Sequence, residues 1–309
     1  MTMATPLHRH SADQSQAGFS LTEALIATTV LLLLFGAATN GLNQTVTFSR
    51  TTTNRAEMHG SVRGATELLQ QEIGQAGRVT LPGPIALAGA VTKGTAQTVA
   101  LTTATGLFTG ANVVIGTGVL GETVTVTAIA GTSITADFKV DHTAGEPVQI
   151  YGGFGTGVVP PSLTNGSTGT VLKLYGDVND DGQMLYVEYT CDIPTSSLYR
   201  NVMAWDAVAK PALAPSMVLL NNVIANPGNS PCFTYQVEDV AGLKFVTGVA
   251  VTLSVHSQQR DQYSKTFQQA TKTLLNVSPR NIFLVWTMVS IGVHNRLQPM
   301  PPTVLALLP

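Results

Sequence analysis

Hydrophobic positions run together over a length that could span a bilayer in one place only. From Ala24 to Ser49 there is no Asp, Glu, Lys or Arg, and Leu25 to Phe35 is almost wholly apolar. About 20 apolar residues in helical form cross a bilayer core, so this segment predicts a transmembrane span over residues 24–45. Beyond it the pattern becomes periodic. Met58, Val62, Ala65, Leu69, Ile73 and Ala76 recur at spacings of three and four, which is one stripe of a helix. Arg55, Glu57, Arg63, Glu67, Gln71 and Arg78 fall largely off the stripe, so its inner face is expected to pack on a globular head. One helix is predicted from Phe19 to about Gly77, ~88 Å long at 1.5 Å per residue. Gly36, Gly41, Gly60, Gly64 and Gly74 each weaken it by up to ~1 kcal/mol relative to alanine, which makes them the expected places for bends or local melting. Gly77, followed by Leu81-Pro82-Gly83-Pro84, marks the stop.

After Pro84 the chain turns to Thr, Val, Gly and Ala in short alternating runs, the pattern of strands. Thr123 to Thr127 and Val249 to His256 alternate strictly, each offering one apolar face to a core. The predicted fold class is α+β: a long N-terminal helix packed on an antiparallel β-sheet head. Residues 81–91 and 151–281 form that head. Residues 92–150 differ in texture, with five or six short strands and Gly-rich turns. They are expected to form an inserted all-β subdomain projecting from the head, similar to small β-barrel modules of bacterial and phage surface proteins. The tail 282–309 is apolar as far as Val293 and then Pro-rich. Its apolar part is too short for a span, so packing on the head or on a neighbouring subunit is expected.

Composition narrows this further. With 44% hydrophobic and 11% charged residues in 309, the chain can build a core. Its 16 basic and 18 acidic residues leave a net charge of -2. No Arg/Lys cluster with interleaved aromatics occurs, so nucleic acid is not an expected partner.

The start of the apolar helix is arranged unusually. A secretory signal places its basic residues before the apolar run and its cleavage site after it. Here a polar stretch, Met1 to Gly18, comes first, and a carboxylate, Glu23, sits just inside the helix. The run Gly18-Phe19-Ser20-Leu21-Thr22-Glu23 resembles the class III signal of the type IV pilin family: glycine, an aromatic, then a carboxylate at the fifth mature residue. The resemblance implies a leader, residues 1–18, removed by a membrane-embedded prepilin peptidase that cuts after Gly18 and methylates the amino group of Phe19. The leader departs from the common pattern in being long and weakly basic, with Arg9 offset by Asp13. Leu68 to Arg78, with its acidic, Gln-rich turn before Ala-Gly, resembles the helix end of PilW-like minor pilins. Residues 165–281 resemble the distal sheet of that family.

Glu23 also has a physical reading. A carboxylate facing hydrocarbon costs ~2.5 to 3.5 kcal/mol at a helix centre, so it should lie at the interface or be paired. In a filament of side-by-side helices, the amino group of a neighbouring Phe19 is an available partner for assembly. The alternative is a carboxylate that reaches the headgroups of a plain anchor.

The chain has two cysteines, Cys191 and Cys232, in the part expected outside the cytoplasm, where a disulfide is favoured over two separate buried thiols. Asp177-Val178-Asn179-Asp180-Asp181-Gly182 with Glu188 has the spacing of a calcium loop, and the ligands would be Asp177, Asn179, Asp181, the Gln183 carbonyl and Glu188. The flanks read as strands rather than helices, so an Asp-Gly hairpin turn competes with calcium, and no cofactor is required. Gly116-Thr117-Gly118-Val119-Leu120-Gly121 has the letters of a dinucleotide fingerprint, but a strand follows where that motif needs a helix. The six histidines are scattered, and no HExxH, GxSxG or zinc spacing occurs, so an enzyme is the least favoured class.

The function expected from the resemblance is that of a minor pilin that primes or caps a type IV pilus. Its partners would be prepilin peptidase, the inner membrane and other major and minor pilins. The protein would be a single-pass inner-membrane protein with a periplasmic head before it enters a filament. The alternatives are a minor pseudopilin of a type II secretion system and a pilus-tip adhesin acting through the 92–150 insert.

Overall fold

The computed structural model describes residues 18–118, 121–261 and 264–309. Residues 1–17 of the leader expected over 1–18 lie outside them, as do Val119 and Leu120 of the Gly-rich motif. In chain order the elements are α1 (Leu21–Gln75), β1 (Ile85–Ala86), β2 (Gly94–Ala100), β3 (Asn112–Ile115), β4 (Glu122–Thr125), β5 (Ala128–Ala130), β6 (Ser133–Phe138), β7 (Pro147–Ile150), β8 (Gly153–Phe154), β9 (Val171–Gly176), β10 (Leu185–Asp192), β11 (Ser197–Ala204), β12 (Val218–Asn221), β13 (Val223–Ile224), β14 (Phe233–Val240), β15 (Leu243–Arg260), β16 (Phe267–Val277), α2 (Arg280–Ser290), β17 (Leu297–Gln298) and α3 (Pro302–Leu307). The class is α+β, with antiparallel sheets throughout apart from the short parallel β8–β17 pair. The chain divides into two compact units at a point inside α1, Met1–Thr53 and Asn54–Pro309.

In the second unit, Met58, Val62, Ala65, Leu69, Ile73 and Ala76 are all buried, so the helical stripe is the face that packs. It meets a core built from Leu172, Leu174, Val187, Tyr189 and the β15 residues Val249, Val251 and Leu253. A second core lies on the opposite face of the β12-β11-β10-β9 sheet and takes Tyr175 and Tyr186 from the same strands. Covering both faces explains why β9 and β10 are buried in nearly unbroken runs rather than at alternate positions.

The stretch expected as a separate insert builds two small sheets, β1-β7-β3-β4 and β2-β6-β5. Its pairing begins at Ile85, ahead of residue 92, because β1 pairs with β7. Its core also continues into Phe154, Val159, Tyr175 and the C-terminal Val304 and Leu307. The tail is thus structured. In α2, Ile282, Val285 and Val289 pack on the first core, and α3 closes the second.

α1 runs through its five glycines without a break, and a Cβ at Gly36, Gly41, Gly60, Gly64 or Gly74 would meet nothing within 4 Å. The helix stops where expected. Gly77 has φ +81°, donates its N–H to the Tyr175 carbonyl at 2.9 Å and accepts from the Phe154 N–H at 2.8 Å. The left-handed conformation turns the chain directly from helix to sheet.

Candidate functional site

The start of α1 is closed by a reciprocal cap. Ser20 precedes the first helical residue, and its Oγ accepts the Glu23 N–H at 3.2 Å. Glu23 Oε2 accepts the Ser20 N–H at 3.0 Å and the Ser20 hydroxyl at 3.1 Å. This is the capping box that Ser-x-x-Glu encodes, and it also sets a negative charge at the positive end of the helix. Gly18 and Phe19 stand just outside the cap, with Phe19 85% exposed.

Beyond the cap, the most apolar window of α1 has none of its residues buried. Leu31, Leu32, Leu33, Leu34 and Phe35 are all exposed. The threonines of this segment satisfy their hydroxyls within the helix: Thr28 donates to the Ala24 carbonyl at 3.0 Å, Thr29 to Leu25 at 2.7 Å and Thr39 to Phe35 at 2.9 Å. In hydrocarbon these bonds remove the desolvation cost of the hydroxyls, so the segment can cross a membrane despite its polar letters.

The acidic turn joins β9 to β10, an antiparallel pair in continuous register from Gly176–Leu185 to Val171–Thr190. Asp177 is fully buried, and its two oxygens accept the N–H groups of Asp181 at 3.0 Å and Gly182 at 3.2 Å. Arg78 approaches Asp177 at 3.5 Å and is also paired with Asp180. Asn179, Asp181 and Gln183 are exposed, and Asp181 Oδ1 accepts the Gln183 N–H at 3.0 Å. Glu188 is engaged elsewhere: its Oε2 accepts from the Tyr186 hydroxyl at 3.1 Å and from Lys210 Nζ at 3.0 Å. The Asp177 oxygens are spent on the turn and Glu188 is held by donors, so the set does not fit a calcium ion. Among the described residues no group of three or more His, Cys, Asp or Glu is placed to hold a metal.

Cys191 and Cys232 are bonded, closing a loop with a sequence separation of 41 and tying β10 to the start of β14. The Gly-rich stretch leads from β3 into β4.

Three buried polar clusters escaped the sequence reading. On the α1 face of the β9–β12 sheet, Glu72 accepts from Arg200 Nε at 3.1 Å and from the Tyr189 hydroxyl. The available signal was its position, three residues after Leu69 and so on the buried stripe. On the other face, Lys173 donates to the Asn165 carbonyl at 2.8 Å and to the Leu308 carbonyl, with Glu188 at 3.9 Å. Burial pushes the Lys173 pKa down, against the pull of Glu188. In the β module, buried His142 lies 2.7 Å from Glu146 and 2.9 Å from Glu122 through its two ring nitrogens. The Thr143 N–H, and then His142, hold the Glu146 carboxyl below its ordinary pKa.

No protein-family model matches the chain, and no curated protein and no solved structure matches it either.

Proposed function

We propose that this chain is a type IV prepilin of the minor, PilW-like kind, a filament subunit with no catalytic task. One observation carries the reading: an uncharged helical segment with every apolar side chain exposed starts at a Ser20–Glu23 cap directly after Gly18-Phe19 and continues as the helix whose stripe packs on a β-rich head. A soluble protein does not leave such a segment bare, because apolar area costs roughly 25 cal/mol per Å² in water. Lipid covers it before assembly and sister helices cover it afterwards. On this reading the protein is a single-pass inner-membrane protein whose head is periplasmic until it enters the filament.

The capping box refines the role of Glu23. Its local bonds fall on Oε2, and among the described residues none falls on Oε1, which is then the oxygen a neighbour's Phe19 amine would reach. Two functions of the carboxylate, cap and charge, can therefore be separated by substitution. Mass spectrometry of the mature protein tests the whole proposal. The expected amino terminus is an N-methylated Phe19. A protein that retains the leader, or that begins beyond residue 45, refutes it.

A further inference from the structure

Where the β module meets the end of β11 there is a two-lobed cleft, with lobes of about 570 Å³ and 270 Å³. Trp205 and Asp206 line both lobes. They sit on the turn that follows β11, closed by the Ala207 N–H to the Ala204 carbonyl at 3.1 Å. The indole is anchored: buried Phe108 meets it edge-on, with centroids 5.8 Å apart and planes at 68°, and it packs against the second core. Its position is thus set by the fold rather than by a ligand.

Threonines line the cleft beside this ring. Thr103, Thr105, Thr132 and Thr303 line the larger lobe. The Thr303 hydroxyl oxygen is buried and has no hydrogen-bond partner among the described residues. That oxygen is shut off from the cleft, so a ligand there has no access to it and its removal should leave binding undisturbed. The charge balance is one-sided. Among the described lining residues Asp181 and Asp206 are carboxylates and none is cationic. Phosphates, nucleic acid and anionic lipid are therefore disfavoured.

We propose that the Trp205 cleft binds a neutral saccharide. A sugar ring has one face of C–H groups that stacks on an indole and a rim of hydroxyls that both donate and accept. The threonine hydroxyls and a carboxylate acceptor match that rim, while the ring supplies the apolar platform. A quaternary ammonium ion would also tolerate the carboxylates, but it is held by several aromatic faces, and beside the indole the cleft has only Phe108, which is itself buried. The inference needs only the Asn54–Pro309 unit and does not depend on whether the chain enters a filament.

The test uses the full chain in a detergent without a sugar headgroup. Trp205 and Trp286 are the only two tryptophans, so a Trp286→Phe background makes Trp205 the sole emitter. Lactose, maltose, cellobiose and N,N′-diacetylchitobiose are each titrated to roughly 50 mM, with choline chloride in parallel. At least one disaccharide is expected to shift the emission saturably. Asp206→Asn should weaken that binding about fivefold. Thr303→Val should leave that binding unchanged while raising the melting temperature, since it removes an unpaired buried hydroxyl. The proposal is overturned if no disaccharide gives a saturable shift, if only choline does, or if Asp206→Asn binds as tightly as its parent.

Discussion

Glu72 has no exposed surface, and its charge is met by Arg200 and by the Tyr189 hydroxyl. Removing one partner of such a pair strands the other, so Arg200→Met should cost about 3–5 kcal/mol in urea unfolding, while adding Glu72→Leu should recover most of it. A double variant no better than the single one would show that packing, and not charge, is what Arg200 supplies. Four tyrosines, Tyr175, Tyr186, Tyr189 and Tyr235, have their pKa pushed up, in each case chiefly by burial. The folded state holds these phenol protons more tightly than the unfolded chain does. Their contribution is therefore complete below the ordinary phenol value of about 10 and is lost as pH rises above it. Melting temperature should fall steeply above about pH 10, and less steeply in Tyr175→Phe. Gly157 is a steric case: a Cβ there would lie 2.1 Å from the Gly77 Cα. Gly157→Ala should destabilise by roughly 1–3 kcal/mol, because the neighbour it meets is backbone and cannot rotate away.

Among the elements, α1 shows that helical glycines need not bend a helix. Gly60 and Gly64 face open space, so an added methyl group meets nothing. Gly60→Ala and Gly64→Ala should each stabilise by about 0.5–1 kcal/mol, read as a higher melting temperature of the purified protein. If either lowers it, the glycine serves a contact outside the single chain. At the other end of α1, Glu23→Gln retains a capping side chain but loses the charge. On the filament reading, this variant should insert in the membrane normally and fail to enter filaments when pili are sheared and blotted. Normal incorporation would reduce Glu23 to its capping role.

Across the molecule, the last residues matter more than their composition implied. Val304, Leu307 and Leu308 are buried in the second core, and the Leu308 carbonyl receives the Lys173 ammonium. Deleting residues 302–309 removes three buried apolar side chains, worth about 1.5–3 kcal/mol each, and takes one of its two carbonyl acceptors from the Lys173 ammonium. A fall in melting temperature of roughly 10 °C or more is expected, and an unchanged value would mean that the tail is dispensable packing. The Cys191–Cys232 bond closes a loop of similar consequence. In the chain-entropy model it contributes ~3 to 4 kcal/mol, which reduction of the purified protein should remove.

What can be read from the chain alone is what depends on near neighbours in sequence. The uncharged run after Ala24, the stripe from Met58 to Ala76, the stop at Gly77 and the alternating β15 all follow from periodicity and local backbone preference. The Ser20–Glu23 cap, which the sequence reading passed over, belongs to the same class. What needed the tertiary structure are the long-range pairings. The Asp177 turn and Glu188 have calcium spacing, yet the strand pleat sends Glu188 to Lys210 and Tyr186. Residues 92–150 carry the texture of an independent module, yet their core is finished by Tyr175, Val304 and Leu307, far away in sequence. Spacing along a chain decides which residues can share a face; only the packed fold decides what that face meets.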